Sequence, residues 1–214
     1  MSEYHKIEGL WKRDVDTRKL IPGEYRNPVV GMLADIHWIF TEKVDGTNIR
    51  VIWDGHKVSF AGRTDKAVIP KPLLDRLEER FGGEVAEQIF EEHFGDKQVV
   101  LYGEGYGAKI QKGGGLYRKD NDFILFDVKV NGKYLDQVDM AIVAHFLGIE
   151  TVPVALSGTI EEAIAYVKSK PLSLLAEEPK EMEGVVGRPV IGLNDANGNR
   201  VIVKIKVRDM EECE

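Results

Sequence analysis

The sequence predicts an α+β fold, with antiparallel sheets and helices packed against them. Apolar strand-like runs come in pairs around Asp-Gly or Asn-Gly signals, and stretches of helical spacing lie between those pairs. Strands and helices do not alternate one for one, which argues against a parallel, doubly wound sheet. In chain order, the first hairpin joins residues 48–53 to residues 57–61 around Asp54-Gly55, a pair suited to the positive φ angles of a tight turn. Residues 71–94 read as two helices broken at Gly82-Gly83, and residues 98–102 as a buried strand. Residues 123–130 form a strand that runs into a second tight turn, Asn131-Gly132. Residues 135–147 are apolar at helical spacing, and residues 159–168 open with Thr159 and Glu162 placed as a capping box. Residues 184–191 and 201–207 flank a third turn at residues 194–199. No repeat, low-complexity tract or Pro/Gly/Ser linker interrupts the chain, so residues 1–214 are read as one domain.

Composition limits the function classes. With 214 residues, 43% apolar and 30% charged, the chain is an ordinary globular protein. Its net charge of −7 argues against coating nucleic acid by charge alone, but leaves room for a local basic cleft. A single cysteine, Cys213, excludes an intrachain disulfide. The polar start and the lack of a long apolar run predict a cytoplasmic protein that does not enter a membrane.

Five short segments carry chemistry as a set. Lys43 to Asn48 (KVDGTN) puts an amine beside the carboxylate of Asp45, with Gly46 leaving room for a ligand at the backbone. Arg63 ends the partner strand of the first hairpin, which brings it back toward the level of Lys43. Glu104 sits among glycines in GEGYG after a buried strand; no helix follows, which rules out a dinucleotide-binding loop. Glu183 stands at the start of the 184–191 strand. Lys204 and Lys206, two apart in a strand, share one face, opposite Val203, Ile205 and Val207. Two ammonium groups on one face repel unless an anion lies between them. Each segment alone also fits a solvated surface turn or strand.

Taken in order, K-x-D-G-x-N, G-R-T, G-E-G, E-G-V-V and K-x-K resemble the covalent nucleotidyltransferase superfamily of ATP-dependent ligases and mRNA capping enzymes. The resemblance runs from about Glu42 to Lys206. The asparagine that ends the first motif, and Phe-x-x-Phe-Asp at residues 123–127, look most like the phage-type RNA ligases. The resemblance implies a nucleotidyltransferase (ATP-grasp-like ligase adenylation) fold and an ATP-dependent RNA ligase. Such an enzyme joins 3′-hydroxyl and 5′-phosphate ends through a lysyl-AMP intermediate. A nick-sealing DNA ligase, a capping guanylyltransferase and a nucleotide-binding module without catalysis are the alternatives. Ligases of this kind carry a further module, often an OB-fold, after the last motif. Eight residues follow Lys206, so the expectation is a lone catalytic domain acting as a monomer on RNA ends or nicked duplex, DNA-containing nicks included.

By the same resemblance, Lys43 is the nucleophile, with Asp45, Lys204 and Lys206 as its catalytic companions. A free lysine, with pKa near ~10.4, is mostly protonated at neutral pH, and neighbouring cations and burial favour its neutral form. Lys204 and Lys206 would serve that end while contacting the α-phosphate. Glu104 would take the ribose hydroxyls with Arg63 alongside, and Glu42 would read the adenine amino group. Asn48 completes the nucleotide set. Phe126 would stack on adenine, with Phe123 the competitor for that place. Glu183 would hold Mg2+, with Mn2+ as an alternative, and Asp45 would shape the turn or meet a metal. Glu183, with no structural partner evident in the sequence, is expected to matter through metal and not through stability. The loop at residues 107–120 offers Lys109, Lys112, Arg118 and Lys119 to nucleic-acid phosphates.

Overall fold

The computed structural model describes residues 3–213. The first elements in chain order are strands β1 (Glu8–Gly9), β2 (Trp11–Arg13) and β3 (Leu20–Tyr25), helix α1 (Pro28–Met32) and strand β4 (Trp38–Glu42). Then come β5 (Thr47–Trp53), β6 (Val58–Gly62), α2 (Lys71–Phe81), α3 (Glu84–Phe94), β7 (Val99–Gly107) and β8 (Asn121–Val130). The rest are β9 (Lys133–Tyr134), α4 (Gln137–Phe146), β10 (Val154–Gly158), α5 (Ile160–Lys168), β11 (Gly184–Pro189), β12 (Val203–Lys206) and α6 (Val207–Glu211). The α+β expectation holds. These elements fall into two compact units. The first holds residues 3–4, Asp45–Val152 and Ala176–Glu178; the second holds His5–Val44, Pro153–Leu175 and residues 179–213. The chain passes between them after Tyr4, Val44, Val152, Leu175 and Glu178, so no single linker exists for the sequence to display.

The first unit is built on an antiparallel sheet in the order β6-β5-β7-β8-β9. Helix α2 turns Leu73, Leu77 and Phe81, four residues apart, onto a core that includes Ile49, Val51, Leu101 and Leu125. Phe90 of α3 and Met140 and Val143 of α4 join the same core. The break between α2 and α3 falls where predicted, at Gly82 and at Gly83 with φ 83°. Asn131 (φ 45°) and Gly132 (φ 81°) make the expected tight turn between β8 and β9. The β5–β6 turn differs in mechanism, since Gly55 (φ 102°) takes a positive φ and Asp54 does not. The Asp54 carboxylate instead accepts the His56 and Lys57 N–H groups at 2.9 and 2.8 Å.

Strand β7 runs on to Gly107, so Glu104 lies inside a strand and not in a loop after one. Its glycines are there for close packing. A Cβ at Gly103 would overlap the Phe123 ring, and one at Gly105 would overlap Leu73. Arg50 is an unforeseen core residue, fully buried, with Nε donating to the Gly62 carbonyl at 2.9 Å and a terminal nitrogen to Asp65 at 2.6 Å. It ties the end of β6, next to Arg63, to β5. Arg50→Ala is expected to cost about 2–4 kcal/mol through the cavity and the unpaired Gly62 carbonyl. That loss would be read as a lowered urea midpoint at unchanged slope.

The second unit carries a sheet in the order β1-β12-β11-β4-β10 and a β2–β3 ribbon. Pairing is antiparallel except between β1 and β12, which run parallel. Helix α5 has the predicted capping box and lays Ile160, Ala163 and Val167 on Trp38, Phe40, Val185, Val203 and Ile205. The third predicted hairpin is present as β11–β12, with shorter strands. Val207 begins α6 where a strand residue was expected, though it is still buried. Among the described residues, no helix is long and apolar enough to cross a membrane.

Candidate active site

In the second unit, β11 lies between β4 and β12 and runs antiparallel to both. The start of the middle strand therefore sits beside the ends of its two neighbours. Glu183 precedes β11, Lys43 follows β4, and Lys206 ends β12, so local topology gathers three residues that are far apart in sequence. Lys43 N–H donates to the Gly184 carbonyl at 2.9 Å, which fixes its backbone to β11. Gly184 cannot be replaced easily there. At φ 151°, a Cβ would overlap the Ile205 carbonyl oxygen and lie 2.7 Å from Lys206 Cα.

The Glu183 carboxylate accepts a hydrogen bond from Lys43 Nζ at 2.6 Å through one oxygen and from Lys206 Nζ through the other. Burial pushes the Glu183 carboxyl up, yet the Lys43 charge and the bonds from both lysines outweigh it and hold the group below the ordinary glutamate range. The sequence expectation that Glu183 has no structural partner is corrected here. Lys204 shares the Lys206 face, as the strand period requires, while Val203 and Ile205 enter the core. Burial lowers the Lys204 pKa, and the charges of Lys206 and Lys43 add to that against the opposing pull of Glu183. Glu42 is buried, with its carboxylate accepting the Ser173 hydroxyl at 2.5 Å and the Leu174 N–H at 2.8 Å. Sequence gave no sign of this anchoring of the 173–174 segment.

The first unit holds the remaining candidates: Asp45, Asn48, Arg63, Glu104 and Phe126. Asn48 on β5 and Glu104 on β7 are direct cross-strand partners. Among the described residues the buried Asn48 Oδ1 has no hydrogen-bond partner, an arrangement that costs free energy unless a donor satisfies it. Gly46 permits a close approach, because a Cβ there would overlap the Gly105 carbonyl and sit 2.7 Å from Glu104 Cγ. Arg63 is exposed, one residue past the Ile49–Gly62 pair. Phe123 is 1% exposed and packs edge-on against Phe81 at 5.6 Å, so it is a core residue. Phe126 is partly exposed, its ring 5.0 Å from Tyr4. The β7–β8 register jumps at this point, with Gly103 opposite Leu125 and Tyr102 opposite Asp127. Phe126 is thus the extra residue of a bulge, which re-aims a side chain in a way that strand alternation cannot foretell. Asp127, fully buried, accepts the Tyr4 hydroxyl at 2.8 Å.

The loop at residues 107–120 is tied down. Arg118 bonds Asp120 at 2.5 Å and Asp122 at 2.7 Å, and Lys119 pairs with Glu178. Lys109 and Lys112 are exposed, with no ion pair to a described residue. Among the described residues, no three carboxylate, imidazole or thiol groups gather to form an all-protein metal cage. Both Glu183 oxygens accept from lysine ammonium groups, so this carboxylate could take a hydrated divalent cation only by exchanging a lysine bond for it, with phosphate oxygens and water as the other ligands.

A family model described as RNA ligase matches residues 36–206, four-fifths of the chain and all ten candidate residues. The chain belongs to the RNA ligase family. Solved structures of Naegleria gruberi RNA ligase are similar to it in fold. A lysine-to-alanine mutant with ATP and Mn aligns at TM-score 0.66 and 19% identity, over 99% of this chain and 58% of that one. A glutamate-to-alanine mutant with ATP and Mn gives 0.63 and 20%, over 97% and 61%. A lysine-to-methionine mutant with AMP and Mn gives 0.64 and 18%, over 86% and 54%. The family member described here thus spans little more than half the length of those ligases. No curated protein is similar enough in sequence to match.

Proposed function

We propose that this chain is an ATP-dependent RNA ligase that carries AMP on Lys43 and joins 3′-hydroxyl to 5′-phosphate RNA ends. The observation that carries the proposal is the meeting of Lys43, Glu183 and Lys206, with Lys204 beside them, at the ends of β4, β11 and β12. An ammonium group has no lone pair, so Lys43 must leave its bond to Glu183 and shed a proton to solvent before it attacks. The neutral nitrogen then forms a P–N bond with the α-phosphorus of ATP, the P–O bond to pyrophosphate breaks, and pyrophosphate leaves. Lys204 and Lys206 place positive charge where phosphate oxygens gain negative charge, and partial burial strengthens that interaction. In the second step, an RNA 5′-phosphate oxygen displaces Lys43 from phosphorus. In the third, a 3′-hydroxyl attacks the 5′-phosphate, and AMP leaves.

A divalent cation, Mg2+ or the Mn2+ that accompanies ATP in the Naegleria ligase structures, would neutralise phosphate charge when held by Glu183. Asp45 is assigned either to shaping its own turn or to meeting a metal. Glu104 and Arg63 are assigned to the ribose, Phe126 to the base, and Asn48 to a ligand donor that satisfies its buried oxygen. Glu42 acts by holding residues 173–174 in place. The test is incubation with labelled ATP or GTP and a divalent cation, then a denaturing gel, then joining assays with RNA and DNA 3′ ends. A covalent label from ATP and sealing of RNA ends are expected. Labelling by GTP alone would identify a capping enzyme, and no labelling would identify a binding module.

Within the 107–120 loop, Lys109 and Lys112 are the cations left to grip RNA. Lys109→Ala with Lys112→Ala is expected to raise the KM for RNA while adduct formation stays near wild type. It should also lower the log–log salt slope by about 0.7–0.9 per lost contact. Loss of adduct formation in that variant would move these lysines into the nucleotide site.

A further inference from the structure

The Asp45–Gly46 turn, two residues after the nucleophile, is held by a loop that motif reading assigns to RNA. Tyr117, 1% exposed, accepts the Asp45 N–H on its hydroxyl oxygen at 3.1 Å. From the same loop, Gln111 Nε2 donates to the Gly46 carbonyl at 3.0 Å. Two side chains of one loop thus satisfy the backbone donor of one turn residue and the backbone acceptor of the next.

The loop is stiff enough to act as a jig. Its ends are joined by the Ala108 N–H to the Asp120 carbonyl at 3.0 Å and by Asn121 Nδ2 to the Ala108 carbonyl at 2.8 Å. Gly114 packs so close to the Gly107 carbonyl that a Cβ would overlap it. The Tyr117 carbonyl accepts the Glu177 N–H at 3.1 Å, and the Tyr117 ring meets Tyr106 edge-on at 5.9 Å, so main chain and ring are both fixed. Arg118 and Lys119 serve the same end, spent on Asp120, Asp122 and Glu178. Such bracing serves the placement of a backbone better than it serves a surface that must adapt to RNA.

We propose that Tyr117 and Gln111 are positioning residues for adenylation, acting through the backbone of the Asp45–Gly46 turn. The proposal rests on the ligase reading above. A turn that wanders carries its error along two peptide bonds to Lys43, and in-line attack at phosphorus tolerates little misplacement.

The test is single-turnover formation of the Lys43 adduct by the full chain at varied ATP. Tyr117→Phe removes one oxygen and keeps the buried ring; Gln111→Ala changes an exposed residue and keeps the fold if the first variant does not. Each is expected to lower the rate at saturating ATP about tenfold, the factor that corresponds to one backbone hydrogen bond left unmade. The KM for ATP should move less than the rate, and amide exchange at Asp45 should quicken in Tyr117→Phe. Wild-type rates in both variants would overturn the proposal, whether or not Asp45 exchange changes. A fall in rate that merely tracks a lower unfolding midpoint, or a rise in KM with the saturating rate intact, would overturn it too. Absence of any adduct in the wild-type protein would instead sink the ligase reading itself.

Discussion

Lys43→Ala is expected to abolish the covalent nucleotide altogether, and Lys43→Arg is expected to abolish it as completely. The pair of variants separates charge from nucleophilicity. Alanine removes both, whereas arginine keeps a cation for Glu183 but cannot lose its proton near neutral pH. Both proteins should remain folded. Lys43 is a quarter exposed, and Glu183 keeps Lys206 when Lys43 is gone, so the stability change should stay within about 1 kcal/mol. Peptide mass spectrometry after incubation with ATP should find AMP on Lys43 of the wild type and on no residue of either variant. An adduct on Lys204, Lys206 or any other lysine would overturn the assignment.

Glu183→Ala has the second largest expected effect, and it is a double one. Adduct formation should fall below detection, because the carboxylate proposed to hold the cation is gone and three lysines are left without their shared anion. Stability should also fall, by about 1–3 kcal/mol, since removing the shared anion of a partly buried ion pair leaves charges uncompensated. The pH dependence gives a separate check. The folded Glu183 carboxyl titrates below its unfolded value of 4.5, so the unfolded chain binds the extra proton in between. Its contribution is complete above about pH 4.5 and lost as pH falls through the folded value. Urea unfolding should show Glu183→Ala weaker than wild type at pH 7 and weaker by a smaller margin at pH 3. Equal stability at both would return Glu183 to a role in metal binding alone.

What could be read from sequence was what is decided locally. The Asn131-Gly132 turn, the Gly82-Gly83 break and the Thr159 capping box each depend on a few adjacent residues, and each stands where predicted. Strands β1, β4 and β10 are short and take their identity from partners elsewhere in the chain, so no local pattern marks them. The GEGYG run reads as loop because glycine usually punctuates strands; here its missing side chains make room for Phe123 and Leu73. Motif order named Lys43, Glu183 and Lys206, but that one carboxylate binds both lysines follows only from β11 lying between β4 and β12. Tyr117 and Gln111 lie in a stretch whose glycines and cations suggest a mobile grip, and nothing adjacent hints at their hold on the Asp45–Gly46 backbone.

The parallel pairing of β1 with β12 has a consequence for how the protein is made. Glu8 and Gly9 leave the ribosome 195 residues ahead of their partners Val203 and Lys204. Synthesis proceeds at about 5–20 residues per second, so β1 waits on the order of ten seconds or more for its neighbour. The strand that carries Lys204 and Lys206 has both its neighbours ready before it emerges, and it closes the sheet by filling the gap. A nascent chain therefore holds Lys43 long before, and Glu183 shortly before, the two lysines that complete the group. The lysine group around Glu183 is complete only once β12 has emerged and paired with β11.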